Sequence, residues 1–245
     1  MQKVTIISLG WLGVATYKHL EHLGFKVSGS YNSKSKDLAG EFKFDINKEY
    51  QNSFISDSDI IILNIPPSKI TNDDNFLKLI KENVAKKIIF ISSTSVYGMQ
   101  GSVNELTEPL PLTKSGIRLL EWENYILKNV PSYQIIRSAG QIGPNRHPAY
   151  SLSGRKDITG GNQYINLISQ KDLLDIITKS INSDKSRIIN ASNTNHPIKK
   201  VYYTQYCKDI NLPLPTFNEE NVIEYKKINT IHKEFEINTT LTKGL

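Results

Sequence analysis

A phosphate-binding loop is indicated near the start of the chain by two glycines placed between a strand and a helix. Residues 8–13 read SLGWLG and follow an apolar strand pattern. Gly10 would let the backbone approach a pyrophosphate, and Gly13 would let the helix pack closely on the sheet. With the N–H groups of the helix start, at Trp11 and Leu12, this pattern predicts a site for NAD or NADP. The alternative is that the glycines only turn the chain. Serine in place of the first glycine predicts a slightly remodelled loop.

The residues after the second strand pattern bear on the choice between these two cofactors. An acid about 20 residues beyond the glycines usually receives the ribose hydroxyls of NAD. Ser30 stands where that acid would stand, and no acid follows until Asp37. Lys34 and Lys36 could instead meet the 2′-phosphate of NADP. The pattern therefore favours NADP over NAD, the alternative being that the lysines are only solvated.

Composition excludes several classes of protein. The 245 residues are 38% hydrophobic and 22% charged, which is enough apolar content for a sizeable core. The formal net charge is +6, but the basic residues are scattered, so we expect no nucleic-acid partner. Cys207, the single cysteine, excludes an internal disulfide and is expected to be buried, and no cluster of side chains predicts a metal site. Without a signal peptide or a bilayer-length apolar run, we expect a cytoplasmic protein with no membrane partner.

Strand and helix patterns alternate along the chain. The predicted strands are 4–9, 26–30, 59–65, 87–92, 133–137 and 166–168, and the predicted helices are 12–23, 75–84, 117–128, 172–180 and 199–210. This order predicts an α/β fold, a doubly wound parallel sheet of the Rossmann type. We expect one domain over residues 1–245, in which residues from about 143 contribute a small C-terminal substrate lobe. Ligands bind such sheets at the carboxyl ends of the strands, which places Ile65 and Pro66 beside the cofactor.

Several motifs, in order along the chain, resemble those of a known family. Residues 10–13 resemble its cofactor loop, 44–46 (FDI) its adenine-binding step, 92–98 (SSTSVYG) its active-site strand, 103–109 (VNELTEP) the loop that follows, and 136–144 its substrate loop. The chain thus resembles the short-chain dehydrogenase/reductase superfamily, in particular the extended branch of nucleotide-sugar epimerases and dehydratases. The resemblance implies that Asp45 contacts the adenine and that Ser93, with Thr94 beside it, hydrogen-bonds the substrate.

The resemblance breaks at the catalytic pair. The family's tyrosine and lysine, which move a proton while hydride is transferred, fall on Ser115 and Leu119. A leucine can neither hold a ribose hydroxyl nor shift the pKa of a neighbour, so ordinary epimerase or dehydrogenase chemistry is in doubt. Lys114, Arg118 or Tyr97 could offer a charge or a phenol instead, or could serve only solvation and packing.

A histidine follows the last strand of the resemblance. His147, within 143–148 (GPNRHP), could donate a proton near neutral pH, and Arg146 could hold an anionic group. The alternative is a surface histidine turned by the flanking prolines. Ser93, Thr94, Ser115 and His147 are therefore the candidate catalytic residues.

Two functions of different classes remain open from the sequence. The first is an atypical NAD(P)-dependent oxidoreductase or epimerase, acting on a small or nucleotide-linked hydroxyl or carbonyl compound. The second is a non-catalytic NAD(P)-binding sensor or scaffold. The missing pair favours the second, and the serine-rich strand favours the first. A small-molecule substrate is the partner we expect, and the oligomeric state stays open.

Overall fold

A parallel sheet forms the centre of the fold. The computed structural model describes residues 1–48, 55–98, 101–218 and 226–241. Its strands are β1 (Lys3–Ile7), β2 (Lys26–Tyr31), β3 (Glu41–Lys43), β4 (Ile60–Leu63), β5 (Lys87–Ser93), β6 (Ser102–Val103), β7 (Tyr133–Ser138), β8 (Gly140–Ile142), β9 (Leu167–Ser169), β10 (Arg187–Ala191) and β11 (Lys227–Ile228). Its α-helices are α1 (Trp11–His22), α2 (Asp73–Lys81), α3 (Lys114–Asn129), α4 (Pro148–Leu152), α5 (Gln170–Ile181) and α6 (Lys199–Asp209).

The order of the strands is that of a doubly wound sheet. The seven-stranded sheet runs β3-β2-β1-β4-β5-β7-β10. The direction of winding reverses at β1, where Val4 pairs in parallel with Val27 of β2 on one side and with Ile60 of β4 on the other. The predicted Rossmann-type α/β fold is confirmed. In such sheets the ligand lies outside the carboxyl ends of the strands at this reversal.

Local sequence sets the limits of the helices beside the sheet. α1 begins after Gly10 and ends before Gly24, whose φ of +86° lies in the left-handed region that terminates helices. Thr113 caps α3 by accepting a hydrogen bond from the Gly116 N–H at 3.0 Å, so α3 begins at residue 114 rather than at 117. None of the helices in the described ranges is long and apolar enough to cross a membrane.

The chain divides into two compact units. The first contains residues 1–96, 111–137 and 174–188, and the second contains 97–110, 138–173 and the chain from 189 onward. The second unit thus draws on chain before residue 143, where the lobe was expected to begin. Within it, β8 pairs with β9 and β6 with β11, both in parallel. Ala149, Tyr203, Tyr206 and Cys207 form a buried cluster between α4 and α6, so the expected burial of Cys207 is confirmed.

Candidate functional site

A cavity of about 290 Å³ opens at the carboxyl ends of β1, β2 and β4, within the first unit. It lies where the strand order reverses, and its volume is close to the lower end for small-molecule sites. Four segments line it: the glycine loop, the end of β2 with the loop that follows, the segment after β3 and the segment after β4. The lining residues are 8–10, 30–34, Lys36, Phe44, Ile46, Ile65 and Lys69.

The two glycines of the loop have different structural roles. A Cβ atom on Gly13 would lie 2.2 Å from the Ser8 carbonyl oxygen, so only glycine allows α1 to begin this close to the end of β1. A Cβ atom on Gly10 would lie 4.0 Å from its nearest neighbour, the Ser8 Oγ atom. Gly13 is therefore required by the fold, whereas Gly10 keeps space open at the wall of the cavity.

The start of α1 is electrostatically suited to an anion. Within the described residues no side chain caps this helix end, and no acidic residue lies in its first turn. The positive end of the helix dipole is therefore not neutralised by a carboxylate of its own turn. Trp11 is half-buried and Leu12 is buried, and neither side chain lines the cavity. The expected contact of their main-chain N–H groups with a phosphate stays a prediction.

Ser30 lines the cavity, but its hydroxyl already has a partner in the glycine loop. Its side chain is buried, and its Oγ accepts a hydrogen bond from the Ser8 N–H at 2.9 Å. Its carbonyl oxygen accepts a second bond from the Leu9 N–H at 2.7 Å. Ser30 thus fixes the loop, and Tyr31, at the end of β2, and Asn32 are the next side chains along the cavity.

Three lysines give the cavity a positive wall. Lys34 and Lys36 are there as the sequence predicted. Lys69 lies in the segment after β4, where a ligand was expected, but it was not named as a cofactor residue; all three lysines are exposed. No carboxylate lines the cavity in the described part of the chain. The nearby Glu41 instead binds the loop itself: it accepts a hydrogen bond from the Ser35 hydroxyl, which lowers the pKa of Glu41, and another from the Lys36 N–H at 2.7 Å.

The remaining predicted cofactor residues lie at or next to the cavity. Ile65 lines it, and Pro66, the next residue, is exposed outside the lining. Asp45 lies between two lining residues, Phe44 and Ile46, and its Oδ1 accepts a hydrogen bond from the Asn47 N–H at 3.1 Å. In this arrangement the Asp45 carboxylate stabilises a turn. Its predicted contact with an adenine stays a prediction.

The strand that resembles the family's active-site strand ends in a turn against α3. Ser93 is half-buried, and its Oγ accepts a hydrogen bond from the Ser95 N–H at 3.1 Å; Thr94 is buried. A Cβ atom on Gly116 would lie 2.4 Å from the Ser95 carbonyl oxygen, so the first turn of α3 contacts this turn directly. Ser115, next to Gly116, is exposed. The structure therefore brings Ser93, Thr94 and Ser115 to one corner of the first unit.

A buried ion pair, not identified from the sequence, adjoins this corner. The Arg137 Nη2 atom lies 2.7 Å from Glu123 Oε2, and the two side chains are 2% and 0% exposed. Ser92 donates its hydroxyl to Glu123 Oε1 at 2.5 Å. Since a buried charge left without its partner strongly destabilises a fold, this contact holds β5, β7 and α3 in one arrangement.

The face of α3 expected to carry the catalytic lysine is used for packing. Leu119 is 3% exposed and belongs to the core. Arg118 is engaged elsewhere: its Nε contacts Asp73 Oδ1 at 2.7 Å, and its Nη1 donates to the carbonyl oxygens of Pro67 at 3.0 Å and Ile70 at 2.6 Å. The structure therefore assigns Arg118 a structural role, the second of the two uses considered for it.

His147 lies in the second unit and is buried, so the alternative of a surface histidine is wrong. Its side chain is 8% exposed and stacks on Tyr206 with ring centroids 3.6 Å apart. The Nδ1 atom accepts from the Ala149 N–H at 3.1 Å, and Nε2 lies 3.1 Å from the Tyr202 hydroxyl. Burial lowers the pKa of His147 to about 4. The ring is therefore neutral at pH 7, and its surroundings do not support the proton-donor role expected of it.

Tyr97, also in the second unit, is likewise committed to structure. It is buried, and its hydroxyl lies 3.0 Å from Asn190 Oδ1 and 3.1 Å from the Asn104 carbonyl oxygen. Both neighbours accept hydrogen bonds, so the phenol donates within this cluster. The packing alternative considered for Tyr97 agrees with this arrangement.

Comparison with known proteins supplies the family. No family model matches the sequence. Protein YeeZ of Escherichia coli (strain K12) is 32% identical over 240 residues, which cover 89% of this chain and 87% of that protein. Among solved structures, MoeE5 in complex with UDP-glucose and NAD shares the fold, with a TM-score of 0.81 and 15% identity over 98% of this chain and 94% of that chain. UDP-glucuronic acid 4-epimerase from Bacillus cereus in complex with NAD also shares it, with a TM-score of 0.80 and 17% identity over 99% of this chain and 96% of that chain. The chain therefore has the fold of the NAD-dependent epimerase/dehydratase structures, as its motifs predict, and belongs to the family of Escherichia coli Protein YeeZ.

Proposed function

We propose that the chain binds NADP(H) in the cavity beside the glycine loop and is an atypical epimerase/dehydratase-like oxidoreductase. Its substrate would be a hydroxyl or carbonyl compound, either small or nucleotide-linked. Two proteins of the same fold are recorded in complexes with NAD, one of them also with UDP-glucose, which supports this class of ligands. A bound nicotinamide cofactor supplies the acceptor or donor of hydride for interconverting a hydroxyl and a carbonyl group.

The single observation that carries the proposal is the charge of the cavity wall. Lys34, Lys36 and Lys69 line the cavity, and no carboxylate does so in the described ranges. A carboxylate at this place would accept the ribose hydroxyls of NAD and repel a 2′-phosphate, whereas ammonium groups attract the phosphate. Gly10 leaves space at the same wall, and the uncapped start of α1 follows it. The residues present thus fit the phosphates of a dinucleotide.

The residues near β5 would act on the substrate rather than on the cofactor. Ser93 offers a half-buried hydroxyl and Thr94 a second one, at the position where the family resemblance places the substrate hydrogen bond. Ser115 has an exposed hydroxyl, but a serine hydroxyl does not titrate near neutral pH. The proposed roles are therefore to orient the substrate, and we expect turnover to be slow without a better proton donor.

A titration with the two reduced dinucleotides tests the cofactor proposal. A charge-assisted hydrogen bond to a phosphate contributes about 1.5–3 kcal/mol, so we expect NADPH to bind roughly tenfold or more tightly than NADH. Lys34→Ala should remove most of the preference by weakening NADPH alone. Lys18→Ala, an exposed lysine of α1 that does not line the cavity, is the matched control and should bind both as the wild type does.

Isothermal titration calorimetry at low and at moderate salt measures these affinities. The NADPH preference should shrink as salt rises, because the lysines are exposed and their charges are screened. Equal wild-type affinities for NADPH and NADH would contradict the lysine interpretation. Failure to bind either dinucleotide would contradict the cofactor proposal itself.

A non-catalytic NADP(H)-binding sensor or scaffold is the second candidate function. It is favoured by one observation: the helix face that would hold a lysine carries Leu119 in the core and Arg118 in structural contacts. A panel of sugar nucleotides and small alcohols and carbonyls, followed by NADPH absorbance, separates the two. Turnover that falls in Ser93→Ala supports the enzyme. Tight NADPH binding without turnover on the panel supports the sensor.

A further inference from the structure

Ser8 has a backbone conformation that serine rarely adopts. Its φ is +85°, in a region favoured by glycine and tolerated by asparagine and aspartate. It occupies the first position of the glycine loop, between β1 and α1. Backbone strain of this kind persists only where the surrounding structure holds it, and it concentrates at functional sites.

The contacts that hold this conformation use only main-chain atoms of Ser8. Its N–H donates to Ser30 Oγ at 2.9 Å, and its carbonyl oxygen accepts from Asn64 Nδ2 at 3.4 Å. The same carbonyl packs against Gly13, where a Cβ atom would come within 2.2 Å. A glycine at position 8 could make every one of these contacts without strain. The fold therefore gives no reason for a side chain at this position.

The Ser8 hydroxyl borders the cavity. Ser8 is half-buried and lines the cavity, and its Oγ lies 4.0 Å from the point where a Gly10 side chain would begin. In the described part of the chain this hydroxyl has no hydrogen-bond partner, whereas the neighbouring Ser30 hydroxyl accepts from the loop. An uncommitted donor therefore borders the same space that Gly10 keeps open.

We propose that the Ser8 hydroxyl donates a hydrogen bond to the pyrophosphate of the bound dinucleotide, and that the strained backbone is retained because it carries this donor to the cavity. The inference rests on the proposed NADP(H) site and adds a side-chain ligand to the main-chain donors of the loop. A hydrogen bond from a hydroxyl to an ionised oxygen is roughly twice as strong as a hydrogen bond between neutral groups. The pyrophosphate is common to NADH and NADPH, so Ser8 contributes equally to both.

Two substitutions separate the hydroxyl from the strain. Ser8→Ala removes the hydroxyl and keeps a Cβ atom at the same φ, so it should bind both dinucleotides about tenfold more weakly without a gain in Tm. Ser8→Gly removes the hydroxyl and relieves the strain, so it should also bind more weakly while its Tm rises by about 2 °C. Affinity and thermal stability thus change in opposite directions in the glycine variant.

The experiment is a calorimetric titration of the full chain and both variants with NADH and NADPH, together with thermal unfolding of each free protein. Equal weakening of both dinucleotides in Ser8→Ala, with the stability gain of Ser8→Gly, is the expected result. Wild-type affinity in Ser8→Ala, or a loss confined to NADPH, would overturn the Ser8 proposal while leaving the cofactor site in place. A wild type that binds neither dinucleotide would overturn both.

Discussion

Leu119 shows how one residue limits the chemistry available to this protein. It occupies the position where the family resemblance expects a lysine, and it is packed in the core at 3% exposure. The position of Leu119 on α3 does not face solvent, because its side chain is directed into apolar surroundings. A lysine ammonium group at this position would therefore be buried. Restoring the usual catalytic pair by substitution would therefore conflict with the packing of α3.

Leu119→Lys should destabilise the protein strongly. Burying an ammonium group without a partner, and losing the leucine packing, should lower the free energy of unfolding by about 3 kcal/mol or more. Leu119→Met, which conserves volume, should cost less than about 1.5 kcal/mol and serves as the control. Denaturant unfolding measures both. A lysine variant as stable as the methionine variant would show that this side chain can reach solvent.

The same distinction between fold and ligand separates the two glycines of the loop. The sequence places both glycines in the cofactor loop and predicts that Gly10 approaches the pyrophosphate while Gly13 lets the helix pack on the sheet. The structure makes Gly13 a packing requirement, because it abuts the Ser8 carbonyl, and leaves Gly10 facing open space. Loss of binding after a change at Gly13 would thus report on the fold as well as on the ligand.

At the scale of elements, α3 supports the segment that follows β4. Arg118 of α3 binds two carbonyl oxygens of that segment, at Pro67 and Ile70, and the Asp73 carboxylate at the start of α2. Lys69 lies between the two bound carbonyls and lines the cavity. Its own carbonyl oxygen accepts from Asn47 Nδ2 at 2.8 Å. The backbone around Lys69 is thus held by Arg118 of α3 and by Asn47 of the segment after β3.

Arg118→Met should weaken both the fold and the NADPH site. The lost contacts are partly exposed, so we expect a loss of about 1–2 kcal/mol in the free energy of unfolding. NADPH affinity should fall severalfold and NADH affinity less, because Lys69 is no longer held. Glu121→Gln, an exposed change on the same helix, is the control. Thermal unfolding and calorimetry measure the two effects, and unchanged dinucleotide preference in Arg118→Met would contradict the link to Lys69.

Glu105 holds loops of the second unit together in a similar way. Its carboxylate accepts from the Asn190 N–H at 2.8 Å, the Thr230 hydroxyl at 2.5 Å and the Ile231 N–H at 2.9 Å. Glu105 lies in the motif at 103–109, which resembles the loop after the family's active-site strand. Its hydrogen bonds give this carboxylate a structural role. A carboxylate can accept several bonds at once, so one residue connects three chain segments.

At the scale of the whole molecule, acid should destabilise the second unit through His147. Its pKa in the folded protein is about 4, below the ordinary value of 6.5, because of burial among Tyr202, Tyr203 and Tyr206. The unfolded chain therefore binds a proton below pH 6.5 that the folded chain excludes until about pH 4. Stability from this group is complete above pH 6.5 and falls as pH falls through that window.

The comparison of wild type with His147→Asn measures this effect. Asparagine can still cap α4 but does not titrate. The free energy of unfolding of the wild type relative to the variant should decrease by as much as about 3 kcal/mol between pH 7 and pH 4. Denaturant unfolding at several pH values gives this difference, and carboxylates common to both proteins cancel in it. A difference that is constant with pH would show that His147 is protonated equally in both states.

Much of the fold was determined by the sequence alone. The alternation of apolar runs with amphipathic stretches predicted β1, β2, β4, β5, β7 and the helices between them, because period and turn residues are local properties. The glycine loop and Lys34 and Lys36 were likewise found beside a cavity, since they lie next to each strand end in sequence. The strands β3, β6, β8 and β11 have two or three residues each and were not predicted, because so short a run carries little period of its own, although the three-residue β9 was predicted at 166–168. The five-residue β10 was also missing from the predicted strands.

Only the tertiary structure decided which side chains remain available to a ligand. Lys69 lines the cavity from a segment distant in sequence. The Ser30 hydroxyl, expected at the cofactor, instead accepts a hydrogen bond from the glycine loop. Glu123 is buried because Arg137 lies opposite it, although its position on the apolar face of α3 was a signal that could have been used. Hydrogen-bond partners and burial depend on contacts between residues far apart in the chain. Residue type and spacing therefore predicted where the site lies, and long-range packing set what each residue there can do.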